Sequence, residues 1–139
     1  MREKYTIGID FGTESGRAVV INTATGDILA SHVTPFKHGV ITRQLPGSHT
    51  PLDPEWALQH PDDYLDVLFE GIPSVLEKSS IPKEDVIGIG IDFTSSTMVP
   101  VDAALNPMCK DPRWADHPHA WVKLWKHHGC REESRMLDE

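Results

Sequence analysis

The sequence predicts an α/β domain built on a mixed sheet, and three observations lead to this fold class. Residues 7–21 read as an apolar strand, a Gly/Ser/Thr turn and a second strand, and a third strand follows at Ile28–Phe36. Ile7-Gly-Ile-Asp-Phe11 recurs literally as Ile89-Gly-Ile-Asp-Phe93. Between them, apolar residues recur at helical spacing over 62–77. Strands followed by a helix and a further strand are typical of α/β folds.

Each element has its own local signal. A strand meander is predicted over 5–36 and an irregular loop, rich in Gly, Pro and His, over 37–53. Asp53-Pro54-Glu55 combines a cap, a first-turn proline and an early acid, which predicts a helix over 54–78. Pro73 should kink that helix because it lacks a backbone N–H. Strands are predicted within 86–101, with Val86–Phe93 buried and Met98–Val101 as a second strand.

The last part, 106–139, is predicted as a loop followed by a helix that starts near Pro118. Trp121, Leu124, Trp125 and His128 fall at i, i+3, i+4 and i+7, so they should form one apolar stripe. This stripe would make His128 a core histidine. No helix-ending signal follows, which predicts that further chain belongs to this domain.

Composition excludes several classes of function. A chain of 139 residues suits one domain, and a formal net charge of −8 argues against binding to nucleic acid. A secretory leader and an apolar run of membrane-spanning length are both missing from the sequence, so we expect a cytoplasmic protein. In that compartment Cys109 and Cys130 should be free thiols.

The turn after the first strand carries the clearest chemistry. Asp10 could hold Mg²⁺, Thr13 and Ser15 could donate to phosphate oxygens, and Arg17 could add positive charge. Neither the Walker pattern nor G-x-G-x-x-G is present, so those two modes of phosphate binding are unsupported. From local chemistry alone the alternative is a plain β-hairpin whose glycines serve only the turn.

The motif Asp10-Phe-Gly-Thr13 resembles the first phosphate motif of the actin–hexokinase–heat-shock-chaperone ATPase superfamily. The hydroxyl-rich segment Asp92-Phe-Thr-Ser-Ser-Thr97 narrows the resemblance to the FGGY carbohydrate kinases. Two further segments, 56–64 and 111–128, are similar to those of family members that phosphorylate L-ribulose. The similarity covers nearly the whole chain.

This resemblance implies a ribonuclease-H-like (actin-like ATPase) domain, truncated at its C-terminal side. It further implies ATP and Mg²⁺ as cofactors and phosphorylation of L-ribulose to ribulose 5-phosphate. Family members are several times longer, and their general-base aspartate and adenine pocket lie in later chain. We therefore expect the 139-residue chain to be the N-terminal part of a kinase and to be inactive alone. An assembly of identical chains is left open.

Residue by residue, the resemblance makes Asp10 the Mg²⁺-associated aspartate and places four side chains along the ATP phosphate loop: Thr13, Glu14, Ser15 and Arg17. Ser95 and Ser96, with Thr97, stand where glycerol kinases carry an Arg-Glu pair. Their small hydroxyls would leave room for a ketopentose. The alternative is an ordinary polar turn.

Trp114 and Asp116 resemble a Trp-x-Asp pattern on the sugar side of related kinases. An indole face can pack on sugar C–H groups, and a carboxylate can accept hydroxyl protons. The structural alternatives are that Trp114 lies in the core and that Asp116 caps the helix predicted at Pro118.

Two other classes of function compete with the kinase. The densest group of metal-ligand side chains is Asp116, His117, His119, His127, His128 and Cys130. Its spacing matches no zinc pattern, so zinc is not expected. A non-catalytic nucleotide-binding or assembly module is the second rival, because the phosphate motif is shared by chaperones and filament proteins.

Overall fold

The computed structural model describes residues 2–49, 51–129 and 131–137. The chain forms two compact units. The first unit consists of residues 1–39 and 62–94, and the second of residues 40–61 and 95–139.

The first unit is built on a four-stranded mixed sheet, formed by β1 (Tyr5–Phe11), β2 (Ser15–Asn22), β3 (Ile28–Pro35) and β5 (Val86–Phe93). The strand order is β3-β2-β1-β5. β1 pairs antiparallel with β2 and parallel with β5, and β2 pairs antiparallel with β3. The predicted α/β class with a mixed sheet is confirmed, as are the three strands of the meander.

A helical layer covers one face of this sheet. It runs from α1 (Pro61–Asp66) through a π-helical segment (Val67–Gly71) into α2 (Ile72–Ser79). Alternate residues of β1 and β2 face this layer and form the core with Val67 and Val75. Each fully buried Ile or Val side chain stabilises such a core by about 1.5–3 kcal/mol. The remaining side chains of β1 and β2 point to the other face of the sheet, which the helical layer does not cover.

Small residues set the spacing between the sheet and the helical layer. A Cβ atom added to Gly16 would lie 2.5 Å from Cγ1 of Val67. One added to Gly71 would lie 3.1 Å from the Cβ of Ala18. The π-helical turn contains Val67 and Gly71, the two residues at which the helical layer comes closest to the sheet. It precedes Pro73, which has no backbone N–H and so cannot donate the hydrogen bond that a regular α-helix needs at that position. The irregularity predicted at Pro73 therefore takes the form of a wide turn.

The helix predicted to start at Pro54 starts instead at Pro61. Pro54 and Glu55 form a turn, and Glu55 has a left-handed backbone with φ 72°, which a helix does not accommodate. Residues 56–59 are all buried, and one face of a helix cannot bury consecutive residues. Leu58–Gln59 form the short strand β4.

Strand β5 is present as predicted, but it is exposed. Ile87, Ile89, Ile91 and Phe93 are 55–68% exposed. Ile89 and Ile91 pair with Ile7 and Ile9 of β1, which are buried, so both sets point to the same face. The helical layer packs mainly on β2 and β3, which leaves this face of β5 uncovered within the first unit.

The second unit has a smaller apolar core and little regular structure. β4 pairs antiparallel with β6 (Val122–Lys123). Around this pair lies a core of Ile41, Leu45, Trp56, Leu58, Cys109, Ala120 and Trp121. Cys109 is buried and forms no disulfide within the described residues, and Cys130 lies outside them.

Two elements predicted for the second unit are wrong. The strand predicted at Met98–Val101 is reduced to isolated bridges, Met98 with Lys123 and Val101 with Pro107. The helix predicted from Pro118 is replaced by a 3₁₀ turn over 118–120, by β6 and by a turn. Helix α3 begins later and spans Arg131–Leu137. Trp121 is buried in the core of the second unit, and its indole N–H donates to the carbonyl oxygen of Ala115 at 2.9 Å.

His127, rather than His128, packs against Trp56 in the second unit. Its Nδ1 accepts the backbone N–H of Ala57 at 3.2 Å, and its ring packs edge-on against Trp56 with centroids 4.7 Å apart. Burial lowers the pKa of His127, and the positive charges of Lys123, His119 and His128 lower it further. His128 itself is exposed, which contradicts its predicted place in the core.

Among the described residues, the helices are all too short or too polar to cross a membrane.

Gly16→Ala should destabilise the first unit by about 2 kcal/mol, because its Cβ would overlap Val67 and force the two layers apart. Urea denaturation measures the loss. Gly90→Ala is the matched control, because a Cβ at Gly90 meets no atom within 4 Å. Adding Val67→Ala to Gly16→Ala should recover part of the loss. Equal stability of the Gly16→Ala and Gly90→Ala variants would contradict the packing constraint.

The second unit should lose stability in acid through His127. The pKa of His127 is lowered from 6.5 in the folded chain, so the unfolded chain binds the proton first. Stability is then complete above pH 6.5 and is lost as the pH falls toward the folded pKa. His127→Gln should flatten the pH dependence of the melting temperature between about pH 7 and pH 5.

The matched control for this titration is His49→Gln, because His49 is an exposed histidine of the same unit. It should keep the wild-type slope. A wild-type slope in the His127→Gln variant would show that another group is responsible.

Candidate functional site

The phosphate-loop candidates lie together on the β1–β2 hairpin. Asp10 and Arg17 are both exposed and are paired in register, so their side chains share the face opposite the helical layer. The turn is closed by the N–H of Gly12, which donates to the carbonyl oxygen of Ser15 at 2.9 Å. A Cβ at Gly12 would lie 3.0 Å from that oxygen, so this tight turn favours glycine.

The two copies of the repeated pentapeptide end at the same edge of the sheet. Asp10 pairs with Asp92 and Phe11 with Phe93, in parallel register. The N–H of Thr94 continues this pairing by donating to the carbonyl oxygen of Phe11 at 3.2 Å. The repeat therefore aligns two carboxylates on adjacent strands of one sheet.

A shallow concavity of about 440 Å³ runs along this open face of the first unit. Glycines on β1 and β5 have no side chains to fill the concavity, and charged side chains lie at one end of it. Its lining includes Thr6, Gly8, Asp10, Arg17, Gly90 and Asp92. Carboxylate oxygens are ligands that Mg²⁺ accepts, and hydroxyl and guanidinium groups bind phosphate, so these residues fit a magnesium–nucleotide group.

The hydroxyl turn belongs to the second unit and is locally strained. Ser96 has a left-handed backbone with φ 60°, a conformation that costs a residue with a Cβ of order 1 kcal/mol. The Oγ1 of Thr97 accepts the backbone N–H of Trp125 at 3.3 Å. Thr97 therefore positions the chain, whereas Ser95 and Ser96 are the exposed members of the turn.

The structural alternatives for Trp114 and Asp116 are both wrong. Trp114 is 41% exposed and so is not a core residue. Asp116 is exposed, and the short 3₁₀ turn at Pro118–Ala120 begins at His117 without a side-chain cap. Both side chains are thus accessible on the second unit, as a ligand-binding role requires.

The structure therefore brings the five nucleotide-side candidates together in the first unit and places the five sugar-side candidates in the second. The sequence already indicated Asp92 through the repeat that it shares with Asp10, although no role was assigned to it. One feature was missed: Trp125 is 53% exposed, whereas its spacing predicted an apolar stripe.

Within the described ranges, no group of three or more His, Cys, Asp or Glu side chains is arranged to hold a metal ion. Of the six side chains considered for zinc, Cys130 lies outside these ranges. His117 and His119 instead pack near one another, with ring centroids 5.7 Å apart.

The sequence is similar to known proteins along its whole length. The chain is 55% identical over 139 residues to the ribulokinase of Geobacillus thermodenitrificans, covering 100% of this chain and 24% of that protein. It is 57% identical over 136 residues to the ribulokinase of Shouchella clausii, covering 98% of this chain and 24% of that protein. The chain therefore spans about a quarter of the length of these relatives.

The fold agrees with solved structures of sugar kinases. The xylulose kinase of Rhodospirillum rubrum superposes with a TM-score of 0.69 at 18% identity, over 97% of this chain and 23% of that one. At this identity the similarity shows the fold alone, an α/β domain with a mixed sheet. The sequence profile of the FGGY carbohydrate kinase N-terminal domain matches residues 5–137. The chain belongs to the FGGY family of carbohydrate kinases.

Proposed function

We propose that the protein containing this chain transfers a phosphoryl group from ATP to L-ribulose, giving ribulose 5-phosphate. The observation that carries this proposal is the 55% identity to a ribulokinase, which extends over all 139 residues. The matched range includes both the hairpin at Asp10 and the hydroxyl turn at Ser95–Thr97. The substrate name comes from relatives about four times as long, so it concerns the longer protein.

The hairpin would serve the nucleotide. Asp10 is exposed at the end of β1, where its carboxylate can hold a magnesium ion directly or through water. Thr13 and Ser15 can donate hydroxyl hydrogen bonds to phosphate oxygens, and Arg17 can add positive charge beside Asp10. When bound, the magnesium ion neutralises phosphate charge, which is the main requirement of phosphoryl transfer.

The second unit would serve the sugar. Ser95 and Ser96 offer small hydroxyls where a charged clamp would exclude a ketopentose, and the strain at Ser96 is of the kind found at ligand-binding turns. Trp114 and Asp116, both exposed, can pack on sugar C–H groups and accept sugar hydroxyls.

Deprotonation of the attacking hydroxyl needs a carboxylate within hydrogen-bond reach. We assign that base to chain outside these 139 residues. By this assignment the segment binds and orients substrates and does not complete the reaction. A non-catalytic nucleotide-binding or assembly module is the outcome to be excluded.

A chimaera gives the direct test. Residues 1–139 of this chain would replace the matching quarter of the Geobacillus thermodenitrificans ribulokinase. It should release ADP in the presence of L-ribulose at about 1 s⁻¹ or faster, whereas the 139-residue chain alone should release none. A coupled ADP assay measures both.

Two results would contradict the proposal. A folded chimaera that binds ATP without turning over L-ribulose would favour the non-catalytic module. ADP release by the 139-residue chain alone, dependent on both ATP and L-ribulose, would overturn the assignment of the base to other chain.

Within an active chimaera, Asp10→Asn should lower kcat by roughly 100-fold or more, since it removes a charge that acts at the transferring group. The melting temperature should stay unchanged because Asp10 is exposed. Asp27→Asn is the matched control, being an exposed aspartate of the same unit in the turn before β3, and it should keep full activity. Equal rates for the two variants would remove Asp10 from the site.

A further inference from the structure

Two side-chain nitrogen atoms of the second unit face the same point. A Cβ atom added to Gly129 would lie 2.8 Å from Nε1 of Trp56 and 2.8 Å from Nε2 of His127. Both separations have the length of a hydrogen bond. Because Gly129 has no side chain, the two nitrogen atoms border a small gap that a methyl group would fill.

His127 presents Nε2 to this gap as a donor. Its Nδ1 accepts the backbone N–H of Ala57 at 3.2 Å, which assigns the proton of the neutral imidazole to Nε2. Burial and nearby positive charge lower the pKa of His127, so this neutral form is the favoured one. The gap is therefore lined by two N–H donors, one from an indole and one from an imidazole.

Both donors lack an acceptor within the ranges that the structure describes. Trp56 is only 8% exposed, and a buried N–H without an acceptor costs free energy. By contrast, the indole N–H of the buried Trp121 donates to the carbonyl oxygen of Ala115 at 2.9 Å. Gly129 is half-buried, so a small molecule can reach the gap from solvent. The gap suits a molecule that accepts hydrogen bonds.

The charges near the gap favour an anionic acceptor. Three side chains lower the pKa of His127 by their positive charge: Lys123, His119 and His128. Nζ of Lys123 donates to the carbonyl oxygen of His119 at 3.1 Å, which uses one of its three N–H donors. Burial lowers the pKa of the Lys123 amine, so an anion beside it would stabilise its charged form. This local positive charge contrasts with the formal net charge of −8 of the whole chain.

We propose that Trp56 and His127 form a binding site for a small oxyanion, of which inorganic phosphate is the simplest. The indole N–H and the Nε2–H donate to its oxygen atoms at the gap beside Gly129, and Lys123 adds positive charge. Hydrogen bonds to a charged acceptor are stronger than those between neutral groups, which favours an oxyanion over water. This site goes beyond the proposed kinase function and does not depend on it.

The indole N–H signals give a direct test in the 139-residue chain, because its four tryptophans give one signal each in a ¹⁵N-resolved spectrum. Inorganic phosphate should shift the Trp56 signal in a saturable manner, with a dissociation constant on the order of 1 mM. Sodium chloride at equal ionic strength should not. The Trp121 signal should stay in place, since its N–H already has an acceptor. Trp56→Phe identifies the responding signal.

Gly129→Ala places a methyl group in the gap and keeps both donors. It should weaken phosphate binding by about tenfold or more, as expected when charged hydrogen bonds are lost. The Trp121 signal reports on the fold of this variant.

Lys123→Gln tests the charge while the gap stays intact, and it should weaken phosphate binding by about threefold. Lys126→Gln is the matched control, because Lys126 is also half-buried but is not among the charges that lower the pKa of His127. It should bind phosphate as tightly as the wild type.

Methyl phosphate distinguishes the two sources of such an oxyanion. A shift of the Trp56 signal by the ester, at least as tight as that by phosphate, would support the site and indicate an esterified ligand. Exclusion of the ester would support a site for the free ion.

Three results would overturn the inference: no saturable shift of the Trp56 signal with phosphate, an equal shift with chloride, or unchanged phosphate binding in a folded Gly129→Ala variant. Equal phosphate affinities of the Lys123→Gln and Lys126→Gln variants would overturn the role of Lys123. Failure of the chimaera to phosphorylate L-ribulose would leave this site unaffected.

Discussion

The close packing of the helical layer on the sheet is the constraint on which the core of the first unit depends. At Gly16 the sheet has no side chain, and Val67 fills that space so closely that one added methyl group would overlap it. Gly71 and Ala18 repeat the constraint one turn later. The π turn, the position of Pro73 and the burial of the β1 and β2 apolar residues all follow from this approach. The hairpin that carries Asp10 is held by the same packing, because Gly16 follows its turn.

The strands and helices that could be predicted are those that are determined by residues close to them in the sequence. β1, β2 and β3 alternate along their length and are separated by Gly-containing turns, so their signals lie within a few residues. The helix start was ambiguous because a proline followed by acids occurs twice, at Pro54 and at Pro61. The burial of residues 56–59 decided between them, and that burial depends on Ile41, Trp121 and other residues distant in sequence.

The same distinction applies to the candidate site. Asp10, Thr13 and Arg17 lie close together in the sequence, so the hairpin alone brings them together. Trp125 and His128 were expected on one helical stripe, but the chain does not form that helix. The N–H of Leu124 donates to the carbonyl oxygen of Ala57, and the N–H of His127 donates to that of Leu124, which makes a turn.

The repeated pentapeptide has a practical consequence. Two identical segments lie side by side in register, and one is enclosed while the other is open to solvent. The open copy, within Val86–Phe93, has no proline or lysine and only one charge, Asp92. Natural edge strands use such residues to prevent intermolecular sheet extension. Concentrated solutions of the 139-residue chain are thus exposed to fibril-like association through this strand. Ile89→Lys would place a gatekeeper charge on the open copy and leave the sequence of the enclosed copy unchanged.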